Sequence, residues 1–209
     1  MKTLKTLTLI AIAVVTLTAM SNNANAQTAQ TETEVVTLTA NLNTTLALTV
    51  DANEVIFNFN SMANYTDGVG AGDDITLTGD VETTSDWQLT VEANGPTLIH
   101  QGDNNYTIPI NQIGLWADMD GTSAGNTSDP ISSIVPLTEA AITLFTTEVD
   151  ESNAGTSAAN EFTVYWQMGT KAGSMNQTSL FAADYRRGTY KQTVDFVLTE
   201  IFTNATNGI

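Results

Sequence analysis

Gly121-Thr122-Ser123-Ala124-Gly125 has the G-x-S-x-G form of a nucleophile elbow, the sharp turn that exposes a catalytic serine. An elbow needs a strand before it, a helix after it and a later histidine to activate the hydroxyl. Here the string lies in a run of Asp, Gly, Ser and Thr, Pro130 follows shortly, and the single histidine, His100, precedes it. The match is read as loop composition, and no catalytic residue or enzymatic activity is expected. One histidine cannot make a histidine-based metal site, and a chain with no Cys has no thiolate nucleophile, iron–sulfur cluster or cysteine-held zinc.

Carboxylates are the second candidates. Asp73–Asp74, Asp118 with Asp120, and Asp150–Glu151 are close pairs in loop-like sequence. None stands out as the facing pair that glycoside cleavage requires. Oxygen-rich loops suit a hard cation better, and Asp118 and Asp120 are the candidate Ca²⁺ ligands, at alternating positions of DMDGTSAGN. The glycine comes too early for an EF-hand and no Glu closes the loop, so Ca²⁺ is the one cofactor considered and a solvated turn is the plainer reading. Trp87, Trp116 and Trp166 sit in apolar alternation and read as core in preference to a sugar-stacking surface. Asn43, Asn64, Asn105, Asn126, Asn176 and Asn204 begin N-x-S/T strings, which carry a glycan only where the host glycosylates.

These groups must be held by strands. In Val35–Val50 the residues Val36, Leu38, Ala40 and Leu42 share one face, and a second phase carries Leu46, Leu48 and Val50, so two strands are expected to meet near Asn43–Thr45. The same period of two places Phe57 and Phe59 against Asn58 and Asn60, and Ile75 and Leu77 against Thr76 and Thr78. It recurs in Trp87–Glu92, Phe162–Gln167 and Val194–Thr199, and more weakly in Tyr106–Ile110, Ile113–Ala117 and Ile142–Thr146. Turn-forming clusters separate them, and Leu137–Ala141 is the only stretch with a trace of helical character. Short strands at such spacing predict an all-β, antiparallel β-sandwich in one domain, residues 27–209, with Phe57, Phe59, Trp87, Leu89, Phe162, Trp166 and Phe196 in its core.

Residues 1–26 read as a cleaved signal peptide: Lys2 and Lys5, an apolar run from Leu7 to Met20, then Ala24 and Ala26 in A-x-A spacing. The run is short for a membrane span, so a secreted or cell-surface product is expected, with no membrane insertion after cleavage. Of 6 Lys and Arg against 23 Asp and Glu, the leader takes two; the remaining four are Lys171, Arg186, Arg187 and Lys191, leaving 4 − 23 = −19. Such a surface repels nucleic acid, because it offers no cations over residues 27–170 to neutralise phosphates.

Gly188–Ile201, GTYKQTVDFVLTEI, resembles the closing strand of spore coat protein U-like and chaperone–usher pilin-like domains, and Phe57–Ala93 is similar to their second and third strands. Members often carry a disulfide near the first strand, which this chain, without Cys, lacks. The resemblance implies an Ig-like sandwich that borrows a strand from a neighbour. Residues 27–42 supply a candidate donor with Val36, Leu38, Ala40 and Leu42 as its inserted side chains. Lys171, Arg186, Arg187 and Lys191 are the candidate docking cations. The expected function is a secreted structural or adhesive subunit of an extracellular filament or surface coat, self-associating or joining other surface subunits. The alternative is a secreted carbohydrate- or surface-binding module, with or without Ca²⁺.

Overall fold

The computed structural model describes residues 44–70, 75–129, 131–169, 179–183 and 185–201. The expected leader and donor segment, with Val36, Leu38, Ala40 and Leu42, and the candidate cation Lys171, lie outside them. In chain order the strands are β1 (Leu46–Val50), β2 (Thr76–Thr83), β3 (Trp87–Ala93), β4 (Thr97–His100), β5 (Thr107–Pro109) and β6 (Ile113–Met119). They continue with β7 (Thr127–Ser128), β8 (Val135–Pro136), β9 (Ile142–Thr147), β10 (Glu161–Met168), β11 (Tyr190–Lys191) and β12 (Val194–Glu200). The described residues are all-β in character, and every strand pair is antiparallel.

The larger sheet has the order β1-β2-β10-β6-β8; a second has β12-β3-β9-β7; a small third has β11-β4-β5. Alternation sets the inner faces. On β3, Trp87, Leu89 and Val91 are fully buried while Gln88, Thr90 and Glu92 between them are half-buried. On β10, Phe162, Val164 and Trp166 point into the same core. Aromatic pairs join the two larger sheets across it: Phe145 of β9 meets Phe162 at 5.4 Å between ring centroids, and Phe196 of β12 meets Trp166 edge-on at 6.3 Å. Gly79 of β2 is small for a reason, since a Cβ there would stand 2.6 Å from the Phe162 ring and 2.6 Å from the Thr49 carbonyl oxygen.

Several expectations change. The Phe57/Phe59 segment is not a strand, although Val55, Phe57 and Phe59 still turn toward the core with exposed residues between them. The chain there leaves the sheet for a six-residue helix, α1 (Met62–Asp67). Its start is a capping box: the Asn64 backbone N–H donates to Ser61 Oγ at 3.2 Å, and the Ser61 backbone N–H donates to Asn64 Oδ1 at 3.0 Å. Leu137–Ala141 is not helical; Leu137 is fully buried and the segment runs into β9. Trp87, Leu89, Phe162 and Trp166 are buried as expected, whereas Phe57, Phe59 and Phe196 are half-buried at the core's margin. Trp116 is not a core residue. It is half-buried and stacked on Tyr165.

Candidate functional site

The ends of the two larger sheets define the most distinctive feature. β1 closes one sheet and β12 closes the other, and among the described residues neither has a hydrogen-bonded strand on its far side. The two strands run close to each other without pairing. Register shows which side chains face inward: Leu48 opposes Val81, Val50 opposes Gly79, Phe196 opposes Val91 and Leu198 opposes Leu89. The partners Val81, Val91 and Leu89 are 0% exposed, yet Leu46 and Val50 stand 40% and 37% exposed. Val194, Phe196 and Leu198 are half-buried. Inward-facing apolar side chains that stay half-wet mark a seam that no strand covers among the described residues. Trp166 borders it through its contact with Phe196, and its buried indole Nε1–H has no partner among the described residues.

Two of the C-terminal cations, Arg186 and Lys191, are tied to carboxylates of the same chain. Arg186 pairs with Asp103 at 3.1 Å and lies over the Tyr106 ring at 4.6 Å from its centroid. Lys191 pairs with Glu54 at 3.3 Å. Asp103 is held below the usual carboxylate range, chiefly by the backbone N–H of Asn105, with Arg186 adding to it. Arg187 is exposed and makes no ion pair among the described residues.

His100 anchors this corner. Its Nδ1 accepts from the Gly102 N–H at 3.0 Å, so Nε2 carries the proton and donates to the Arg187 carbonyl at 3.3 Å. Tyr190 packs edge-on against the ring at 5.0 Å and donates its hydroxyl to the Arg186 carbonyl at 2.7 Å. Burial raises the pKa of both Tyr190 and Tyr185. Gly188, at φ 151°, passes over the imidazole where any Cβ would collide with Nε2.

Ser123 lies in a 3₁₀ turn, Thr122–Asn126, and is buried, so the G-x-S-x-G string forms no strand–turn–α-helix elbow. His100 is in another sheet. Asp118 and Asp120 are both exposed near the end of β6, and Asp120 Oδ2 accepts from Thr163 Oγ1 at 2.6 Å. Asp129 is the perturbed member of this neighbourhood. Burial pushes its pKa up to about 6, the Met119 N–H opposes that, and Asp118, Asp120 and Glu148 add like-charge repulsion. Among the described residues no three acidic or histidine side chains converge closely enough to hold a metal ion.

Two buried asparagines escaped sequence reasoning, because each sits in a polar, turn-like stretch. Asn153 is fully buried and serves β3 like an extra strand: Oδ1 accepts from the Trp87 N–H at 3.0 Å and Nδ2 donates to the Trp87 carbonyl at 3.0 Å. Its own carbonyl accepts from the Trp87 indole at 2.8 Å. Asn160, also fully buried, donates from Nδ2 to the Val81 carbonyl at 3.1 Å. No protein-family model matches the chain, and no curated protein sequence is significantly similar to it.

Proposed function

We propose that this protein is an exported structural subunit of an extracellular filament or surface coat, with an Ig-like sandwich completed by a strand from a neighbouring copy. The observation that carries the reading is the seam between β1 and β12, where Leu46, Val50, Val194, Phe196 and Leu198 face inward yet remain partly exposed. An added strand would take up the free backbone groups of an edge and press alternate apolar side chains into the gap. Val36, Leu38, Ala40 and Leu42 offer four such side chains at a spacing of two, in a segment with no Pro to interrupt pairing.

Docking by the basic stretch is narrowed by its internal ion pairs. Arg186 and Lys191 already face Asp103 and Glu54, which leaves Arg187 as the described cation most available to a neighbour. The deciding experiment is sedimentation of residues 27–209 beside a variant lacking Gln27–Leu42, with negative-stain imaging of each. Higher-order species in the parent and monodisperse monomer in the deletion support strand donation; monomer from both at high concentration, with or without Ca²⁺, removes it.

A further inference from the structure

Trp116 and Tyr165 stand on the outer face of the larger sheet, directly opposite each other on β6 and β10. Their rings are parallel within 4° and 3.8 Å apart. Both residues are only half-buried, although Leu115 and Val164 beside them are fully buried on the other face. A groove lined by Trp116, Ser132, Ser133 and Ile134 runs beside the stack. Ser132 and Ser133 are exposed. Asp118 follows Trp116 by two positions on the same face and is exposed. No Lys or Arg occurs in residues 27–170, so the strands of this sheet contribute no cation to the face.

We infer that this groove binds a neutral pyranose residue of a polysaccharide, independently of any assembly through the seam. A pyranose carries a face of C–H bonds that packs on an indole, and hydroxyls at its edge that need donors and acceptors. The serine hydroxyls and the Asp118 carboxylate supply the acceptors, and the indole N–H and the serines supply donors. The acidic surroundings repel uronate or sialate units, so the charge of the face selects uncharged sugars. A purely structural cross-strand pair stabilises a sheet through its rings alone and requires no groove beside it.

The test uses residues 27–209 titrated with cellohexaose, maltohexaose and mannohexaose, with a hyaluronan hexasaccharide as the anionic counterpart. The readouts are calorimetry and tryptophan fluorescence, to which Trp116 is the accessible reporter because Trp87 and Trp166 are 0% and 3% exposed. At least one neutral hexaose should bind with Kd of about 0.1–1 mM and hyaluronan should not. Trp116→Ala should remove binding. Ser133→Phe, which leaves the ring stack in place and fills the groove, should weaken it about tenfold or more while thermal unfolding stays close to the parent's. Silence from all three neutral sugars up to about 10 mM overturns the inference. So does equal binding of hyaluronan, or binding that persists unchanged in Ser133→Phe.

Discussion

Asn153 makes three hydrogen bonds to one residue, Trp87, and both are fully buried. Truncation would strand the N–H and C=O of Trp87 in an apolar core, where each unpaired group costs about 1–3 kcal/mol. Asn153→Ala should therefore lower stability by about 2–4 kcal/mol, read as a shift of the denaturant midpoint with unchanged slope. Asp129 gives the opposite sign. Its folded pKa, about 6, lies above its unfolded value of 3.8, so the protonated form favours folding. That contribution is complete below the unfolded pKa and is lost as pH rises toward 6 and beyond. Solvent screening of this partly exposed carboxyl leaves about 1 kcal/mol at stake near neutrality. Asp129→Asn keeps an acceptor for the Met119 N–H and should raise the melting temperature at pH 7 but not at pH 3. A gain of equal size at both pH values would remove the charge argument.

At the scale of elements, the long alternating strands were the legible part. β3, β10 and β12 carry unbroken period-two patterns, and the structure places them within a residue or so of their expected ends. β4, β7 and β8 were not foreseen, because strands of two to four residues are too short to show a period, and Gly188–Ile201, read as one closing strand, holds two, β11 and β12. The Phe57/Phe59 segment misled for a different reason. Alternate burial needs only one face against a core, not a paired backbone, so the pattern persists where the strand does not. No period in the sequence marks the seam; what exposes it physically is the contrast between Phe162 at 1% exposure and Phe196 at the margin. That contrast has a measurable consequence in the monomer. Phe162→Ala should cost about 3–5 kcal/mol, and Phe196→Ala clearly less, because water already reaches part of the ring. Equal costs in the monomer would mean that the seam is closed. The Trp116–Tyr165 platform was hidden because β6 alternates as a core strand does, and the sequence does not say which of its faces is covered.

Charge acts at the scale of the whole molecule. Residues 27–209 carry 4 − 23 = −19, and two of their four cations are spent on pairs with Asp103 and Glu54 of the same chain. Two such chains repel at long range, and little localised attraction remains to offset that repulsion. Association by an apolar, hydrogen-bonded strand should therefore strengthen as salt is added. The Debye length falls from about 30 Å at 0.01 M to about 8 Å at 0.15 M, which removes long-range repulsion while leaving the seam's apolar contacts intact. Association through the basic stretch has the reverse dependence, since salt screens its attraction as well. Sedimentation of residues 27–209 across that range separates the two, with Arg187→Glu as the internal control. Assembly that rises with salt and is barely altered by Arg187→Glu is the expected outcome. Assembly that falls with salt and collapses in Arg187→Glu would place the driving force in the cations and leave the seam between β1 and β12 as an ordinary exposed edge.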